Sequence, residues 1–267
     1  MMKENLLRYK LDNNIPTVGT RIQSSWPMVT EVVGATGEYD YIEFLAEYAP
    51  FDTYDLENIA RAAEVHNMAS MIKVDYQNRF FVAQKAITSG FQAVMFTDHR
   101  TAEAVADTID KITPECPGYD GHMGFVNRRW IGNNFSMNQD EYAKMASRTV
   151  KVFMIEKKEA VANIDEICSV PGVDMIQFGP NDFALSSGFN MAENKERIRE
   201  VEQKIIETAL KHGVQPRAEM NTVEDLKYYM DLGVRHFNVG MQLRILSNYW
   251  KQQGGEANTL LREAGLK

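Results

Sequence analysis

Two carboxylates twenty-six residues apart, Glu156 and Asp182, stand at the ends of two short apolar runs. The first run, Lys151-Val152-Phe153-Met154-Ile155, leads directly into Glu156. The second, Val173-Asp174-Met175-Ile176-Gln177, leads into Phe178-Gly179-Pro180-Asn181-Asp182. A strand that meets Gly-Pro cannot extend its ladder, because proline has no N–H to donate and glycine is conformationally loose. The chain therefore turns there, bringing Asp182 and several backbone N–H groups to one edge of the sheet. Carboxylates at the ends of consecutive parallel strands suit a hard divalent cation with oxygen ligands. The competing reading is local: Glu156 caps the following helix and Asp182 completes a turn.

Other charged residues fall at similar places. The first strand-like run offers Arg21, the second Glu47 and Tyr48, and the third Lys73 and Asp75. The fourth offers Asp98 and His99, and the seventh Arg217 and Glu219. Lys73 lies within Met71-Ile72-Lys73-Val74, so it is expected to point into a shared mouth. There it would act on substrate or pair with Glu43 or Glu47, which share one face of their strand by its period of two. His99 reads as a loop or capping residue; His66, His212 and His236 read as surface or packing positions, and Met154 and Met175 as core.

These residues need a scaffold that collects strand ends. Eight strand-like runs alternate with amphipathic segments: 17–22, 40–46, 70–75, 93–97, 151–155, 174–178, 214–220 and 236–240. Helical periodicity marks 55–66, 80–89, 102–112, 157–169, 192–212 and 223–232. Short apolar strands bounded by turn signals indicate a parallel sheet covered on both faces. Gly90, Gly172, Gly213 and Gly233 each separate a helix from the next strand, where a left-handed cap is expected. Eight βα units predict an α/β fold of the (β/α)8, TIM-barrel type, as one domain over 1–267. The segment 113–137, rich in Pro, Gly and Asn, breaks the rhythm and is expected to leave strand four on the catalytic face as a functional or interface loop. The tail from Gln242 is expected to be mostly helical up to Gly254-Gly255, with a short charged helix beyond.

The formal charge of −8 argues against nucleic acid or an anionic membrane as the main partner. Two cysteines, Cys116 and Cys168, suit a reducing compartment and form no zinc motif. The polar start of the chain lacks a signal-peptide core, and no run approaches the ~20 apolar residues that span a bilayer. A cytoplasmic enzyme is expected.

The set Tyr41-Ile42-Glu43-Phe44-Leu45-Ala46-Glu47-Tyr48-Ala49-Pro50, Met154-Ile155-Glu156 and Gly179-Pro180-Asn181-Asp182 resembles the HpcH/HpaI aldolases over nearly the whole chain. These are class II pyruvate aldolases related to the citrate lyase β-subunit. The resemblance implies Mg2+ or Mn2+ on Glu156 and Asp182, and a 2-oxo acid and an aldehyde as small-molecule partners. It also implies a homo-oligomer, hexameric in the family, in which the last helix swaps onto a neighbour. An apolar stripe of Leu243, Ile245, Leu246, Tyr249 and Trp250 fits that helix, as it equally fits packing on its own barrel. The metal would stabilise the enolate formed when the C–C bond breaks. Backbone N–H groups around Gly179 and Asp182 would hold the substrate carboxylate, with Pro180, Asn181, Arg21 and Arg217 as further substrate-binding residues, and Lys73 would take the place of the family's arginine.

Three positions depart from the pattern. The family's Asp-Gly-Glu-His-(Gly/Ala)-Pro becomes Leu45-Ala46-Glu47-Tyr48-Ala49-Pro50, so its catalytic His is replaced by Tyr48. The acidic partner of that His aligns with Thr88, and the Gln before the metal-binding Glu aligns with Met154. Proton transfer then falls to Tyr48, Glu47 or a metal-bound water, or else Tyr48 merely packs under the Ala49-Pro50 turn. The leading reading is a metal-dependent carbon–carbon lyase. Its alternatives are a decarboxylase, condensing enzyme or hydrolase on the same seat, and a metabolite-binding barrel without chemistry.

Overall fold

The computed structural model describes residues 4–126, 128–129 and 137–267. Eight strands close into a parallel barrel in chain order: β1 (Thr17–Ile22), β2 (Tyr41–Leu45), β3 (Ala69–Val74), β4 (Ala93–Phe96), β5 (Val150–Ile155), β6 (Met175–Phe178), β7 (Gln215–Met220) and β8 (His236–Met241). β8 returns to pair with β1, with Thr17 opposite His236 and a register shift between Gly19 and Arg21. This is the TIM-barrel class that the βα alternation predicts.

The period of two sorts the side chains. Ile42, Phe44, Ile72, Val94, Phe96, Phe153 and Ile176 face outward and form the main core beneath the helices. Tyr41, Met71, Met95, Val152, Met154 and Met175 form a second cluster inside the barrel. The inward series Val150-Val152-Met154 continues to Glu156, which brings that carboxylate to the mouth.

The helices are α1 (Leu6–Asp12), α2 (Pro27–Ala35), α3 (Thr53–Val65), α4 (Arg79–Ser89), α5 (Ala102–Lys111), α6 (Gln139–Ala146), α7 (Lys158–Ala162), α8 (Ile164–Cys168), α9 (Pro180–Ser187), α10 (Lys195–Lys211), α11 (Leu226–Asp231) and α12 (Gln242–Glu263). Gly90, Gly172, Gly213 and Gly233 all have positive φ, as expected for left-handed caps. The segment expected as one helix over 157–169 is two short helices meeting at Asn163, whose side chain donates instead to the Arg100 carbonyl at 2.8 Å.

α1 closes the bottom of the barrel. Leu7 is buried among Met71, Met95 and Val152, a burial that contributes about 2 kcal/mol. The Asn5 amide donates to the carbonyls of Gln92 and Arg148, and the Leu6 N–H donates to the Gln92 side chain.

Two expectations are corrected. The long loop begins after α5 rather than directly after β4. A barrel helix runs antiparallel to its strand, so the loop starts at the face opposite the strand C-termini. Within it, Arg128 pairs with Glu57, and Arg129 donates to Glu64 and to the Ser89 carbonyl, which holds this part of the loop against the α3–α4 flank. Of the stretch after it, 130–136 lies outside the described residues. The second correction concerns α12, which runs unbroken through Gly254-Gly255. None of its residues is buried, and Leu243, Ile245, Tyr249 and Trp250 are at least half exposed.

Candidate active site

Glu156 is 2 % exposed at the end of β5. Its Oε1 accepts the Asp98 N–H at 2.9 Å. Asp98 adopts φ +62°, a left-handed conformation uncommon outside glycine, and that turn presents its amide. Burial pushes the Glu156 carboxyl up to about 7, against the opposing pull of Lys73 and the Asp98 N–H. A neighbouring divalent cation would favour its ionised form.

Gly179 sits against Glu156. A Cβ there would lie 2.6 Å from Glu156 Cβ and 2.9 Å from Glu156 Oε2. Its φ of −112° suits any residue, so close approach is what requires glycine. Pro180 opens α9, where a missing N–H costs nothing. Asn181 is exposed, and Asp182 lies in the first turn, favoured by the helix dipole.

Lys73 reaches the mouth from β3, with Nζ 2.6 Å from Glu47 Oε2. Burial alone would lower its pKa, but Glu156 and Glu47 outweigh burial and raise it, so the ammonium is permanent. The geometry shows the ion pair of Lys73 with Glu47, and the charge of Glu156 also acts on it. Tyr48 lies with its ring centroid 5.1 Å from Lys73 Nζ and is 60 % exposed. Partial burial raises the phenol pKa, which Lys73 lowers and Glu47 raises.

Arg217 does not reach the mouth. Its side chain has no exposed surface and is held by Glu43, by the Gln177 side chain and by the Tyr41 hydroxyl at 2.7 Å. The expected substrate contact is therefore replaced by a buried network beneath the site. Arg21 lies at its edge, 2.6 Å from Glu219, which also accepts from Gln177 at 2.8 Å. Asp75 caps the loop before α4 by accepting from Asn78 N–H at 2.7 Å. His99 is buried between the Thr97 carbonyl and Thr108 hydroxyl, and desolvation lowers its pKa to about 4. It is a neutral packing residue.

Lys157 was not among the expected strand-end residues, and Asp98, expected there as a side chain, also contributes its backbone N–H. Lys157 bridges Asp98 at 2.6 Å and Asp182 at 3.3 Å, tying the ends of β4, β5 and β6 together. Asp98 supplies the N–H on Glu156. The available signal for Lys157 was its position immediately after Glu156.

Among the described residues no group of three His, Cys, Asp or Glu side chains gathers as a metal cluster. The seat offers two hard carboxylates instead, with Gly179 packed against one and a cation already drawn to the other. That donor set fits Mg2+ or Mn2+, which are commonly held by one or two carboxylates with water or substrate completing the shell. Among the described residues no helix is long and apolar enough to cross a membrane.

The sequence matches the HpcH/HpaI aldolase/citrate lyase family over residues 22–248. It is 28 % identical to a 5-keto-4-deoxy-D-glucarate aldolase of Salmonella arizonae, covering 82 % of this chain and 83 % of the relative. It is 23 % identical to a hydroxypyruvate/pyruvate aldolase of Paraburkholderia phytofirmans, covering 86 % and 89 %. The fold superposes on the HpcH/HpaI aldolase from Desulfitobacterium hafniense with a TM-score of 0.84 at 20 % identity, covering 98 % and 97 %. The closed barrel, the mouth built on Glu156 and Asp182, and this match over most of the chain make it a lyase of the HpcH/HpaI aldolase/citrate lyase family.

Proposed function

We propose that this enzyme makes or breaks a carbon–carbon bond adjacent to a 2-oxo acid, with Mg2+ or Mn2+ held by Glu156 and Asp182. The observation that carries the reading is the buried Glu156 carboxylate, oriented by the Asp98 N–H and packed against the Gly179 turn that leads to Asp182. When bound, the cation supplies Lewis-acid stabilisation of negative charge developing on the keto oxygen.

The chain's own groups do the rest. The first-turn N–H groups of α9 receive the substrate carboxylate. Lys73 adds a second fixed charge at the mouth, and Glu47 holds it in place. Tyr48, whose phenol stays protonated at neutral pH, donates a proton or a hydrogen bond to the aldehyde-side oxygen. Its position in place of the family's His supports this role. The exposed apolar stripe of α12 supports a homo-oligomer in which that helix packs on a second copy.

The test is metal stoichiometry and retro-aldol turnover in Glu156→Ala and Asp182→Ala. Both should lose metal and activity while keeping a folded circular dichroism spectrum. Full metal occupancy in both variants would remove the seat from these residues.

A further inference from the structure

Lys157 breaks the local rules of its position. It follows Glu156 directly and is the N-cap of α7, with extended backbone at φ −110° and ψ 147°. An N-cap favours Ser, Thr, Asp or Asn, whose side chains accept from the first-turn amides, and a lysine can only donate. α7 accordingly has no side-chain cap bond. Local rules of this kind are broken mainly at functional or strained sites, so the reason for a lysine lies in what its ammonium touches.

That ammonium lies 2.6 Å from Asp98 and 3.3 Å from Asp182, the second carboxylate of the seat. Its side chain is 14 % exposed, less than that of either partner, so salt screens it only in part. The two contacts are unequal. The Asp98 pair is short, whereas the Asp182 pair is longer than the roughly 2.8 Å of a strong charge-assisted hydrogen bond. Asp182 has a second reason for its place, since it lies in the first turn of α9, where the helix dipole favours a carboxylate.

An ammonium and a divalent cation share one carboxylate poorly. A cation such as Mg2+ sits about 2.1 Å from a carboxylate oxygen, which puts two like charges within a few ångströms in a half-buried site. The repulsion falls first on the longer lysine contact, the one to Asp182. Charge balance explains why a lysine belongs there. Ionised Asp98, Glu156 and Asp182 carry three negative charges and Lys157 returns one, so a divalent cation brings the group to neutrality. A negative charge left over would repel an anionic 2-oxo acid.

We propose that Lys157 is the internal counter-ion of the seat: it competes with the divalent cation for Asp182, yields by closing onto Asp98, and so keeps the metal weakly held and exchangeable. The inference rests on the metal reading of Glu156 and Asp182 above and adds a control on its affinity.

Electron paramagnetic resonance of free Mn2+ during titration of the metal-stripped enzyme measures the dissociation constant without any turnover. Lys157→Gln keeps a hydrogen-bond donor and loses the charge, and Lys157→Arg keeps the charge. Lys157→Gln should bind Mn2+ about ten-fold more tightly than the wild type, the lower end of what groups beside the ligands do to metal affinity. Lys157→Arg should stay close to the wild type. A brace that merely oriented Asp182 would give the opposite sign, because its loss weakens binding. Lys157→Met, which removes charge and donor together, should also tighten binding, and it decides the matter if the circular dichroism of Lys157→Gln shows an unfolded chain. Equal or weaker binding in the uncharged variants, or the same tightening in Lys157→Arg, would overturn the counter-ion. A Glu156→Ala/Asp182→Ala variant separates the two claims. No Mn2+ binding by the wild type, or binding that persists in this variant, removes the seat itself, whereas binding that depends on the seat but ignores Lys157 removes only the counter-ion.

Discussion

Gly179→Ala is the sharpest perturbation of the seat. The backbone angle is open to alanine, so the whole effect comes from the added methyl. That methyl would meet Glu156 Cβ at 2.6 Å, Glu156 Oε2 at 2.9 Å and Met154 Cε at 2.9 Å. Relief requires Glu156 or the β6–α9 turn to move by about 1 Å. Overpacking of this kind costs about 2 kcal/mol. For a chain of this size that is a fall in Tm of about 4–8 °C. A displacement of about 1 Å at a reacting centre costs about 100-fold in rate, far more than the stability loss explains. Differential scanning fluorimetry and steady-state turnover at saturating Mn2+ measure the two effects. Gly124→Ala is the control, because among the described residues no atom beyond its chain neighbours lies within 4 Å of the added methyl there. A Gly179→Ala enzyme with wild-type Tm and turnover would refute the packing of the turn against Glu156.

Lys73→Met should lower turnover at least ~100-fold; unchanged turnover with a lower Tm would make Lys73 only the partner of Glu47. Tyr48→Phe removes one hydroxyl and should reduce turnover, and wild-type rates across the pH profile would eliminate Tyr48 as the proton donor. His99 has a folded pKa of about 4 against an ordinary 6.5, so between these values the unfolded chain binds the extra proton and stability is lost as pH falls. Relative to His99→Gln, the wild type should therefore lose about 3 kcal/mol between pH 7.5 and 4 in urea titrations, and parallel curves would contradict a buried neutral imidazole. Light scattering should give a mass above that of one chain, whereas a monomer would leave α12 without its proposed partner.

Glu156 was legible because one strand carries its whole argument: the inward alternation Val150-Val152-Met154 continues to it without reference to any other element. Asp182 was legible through Gly-Pro, a local stop. Arg217 was not, because its role depends on Glu43 and Gln177, which are brought beside it only by barrel closure. Asp98 and Lys157 share that difficulty, and Asp98 also depends on a left-handed turn that its residue type permits but does not announce. The loop over 113–137 was misplaced for a simpler reason: α5 reverses the chain before the loop begins. α1 went unread because its seven residues carry too little periodicity to stand out, and its docking partners lie in distant strands.

The plug formed by α1 has a consequence for how the chain is made. Residues 5 and 6 are synthesised well before their partners at Gln92 and Arg148, which follow 86 to 143 positions later. Until β5 exists, the Leu7 side chain has no complete floor to dock on, and the half-built barrel stays open at its lower end. Closing so long a loop costs entropy that only the finished interior returns. The α1 segment is therefore among the last parts of the barrel to settle, acting as a seal over strands already paired rather than as their nucleus.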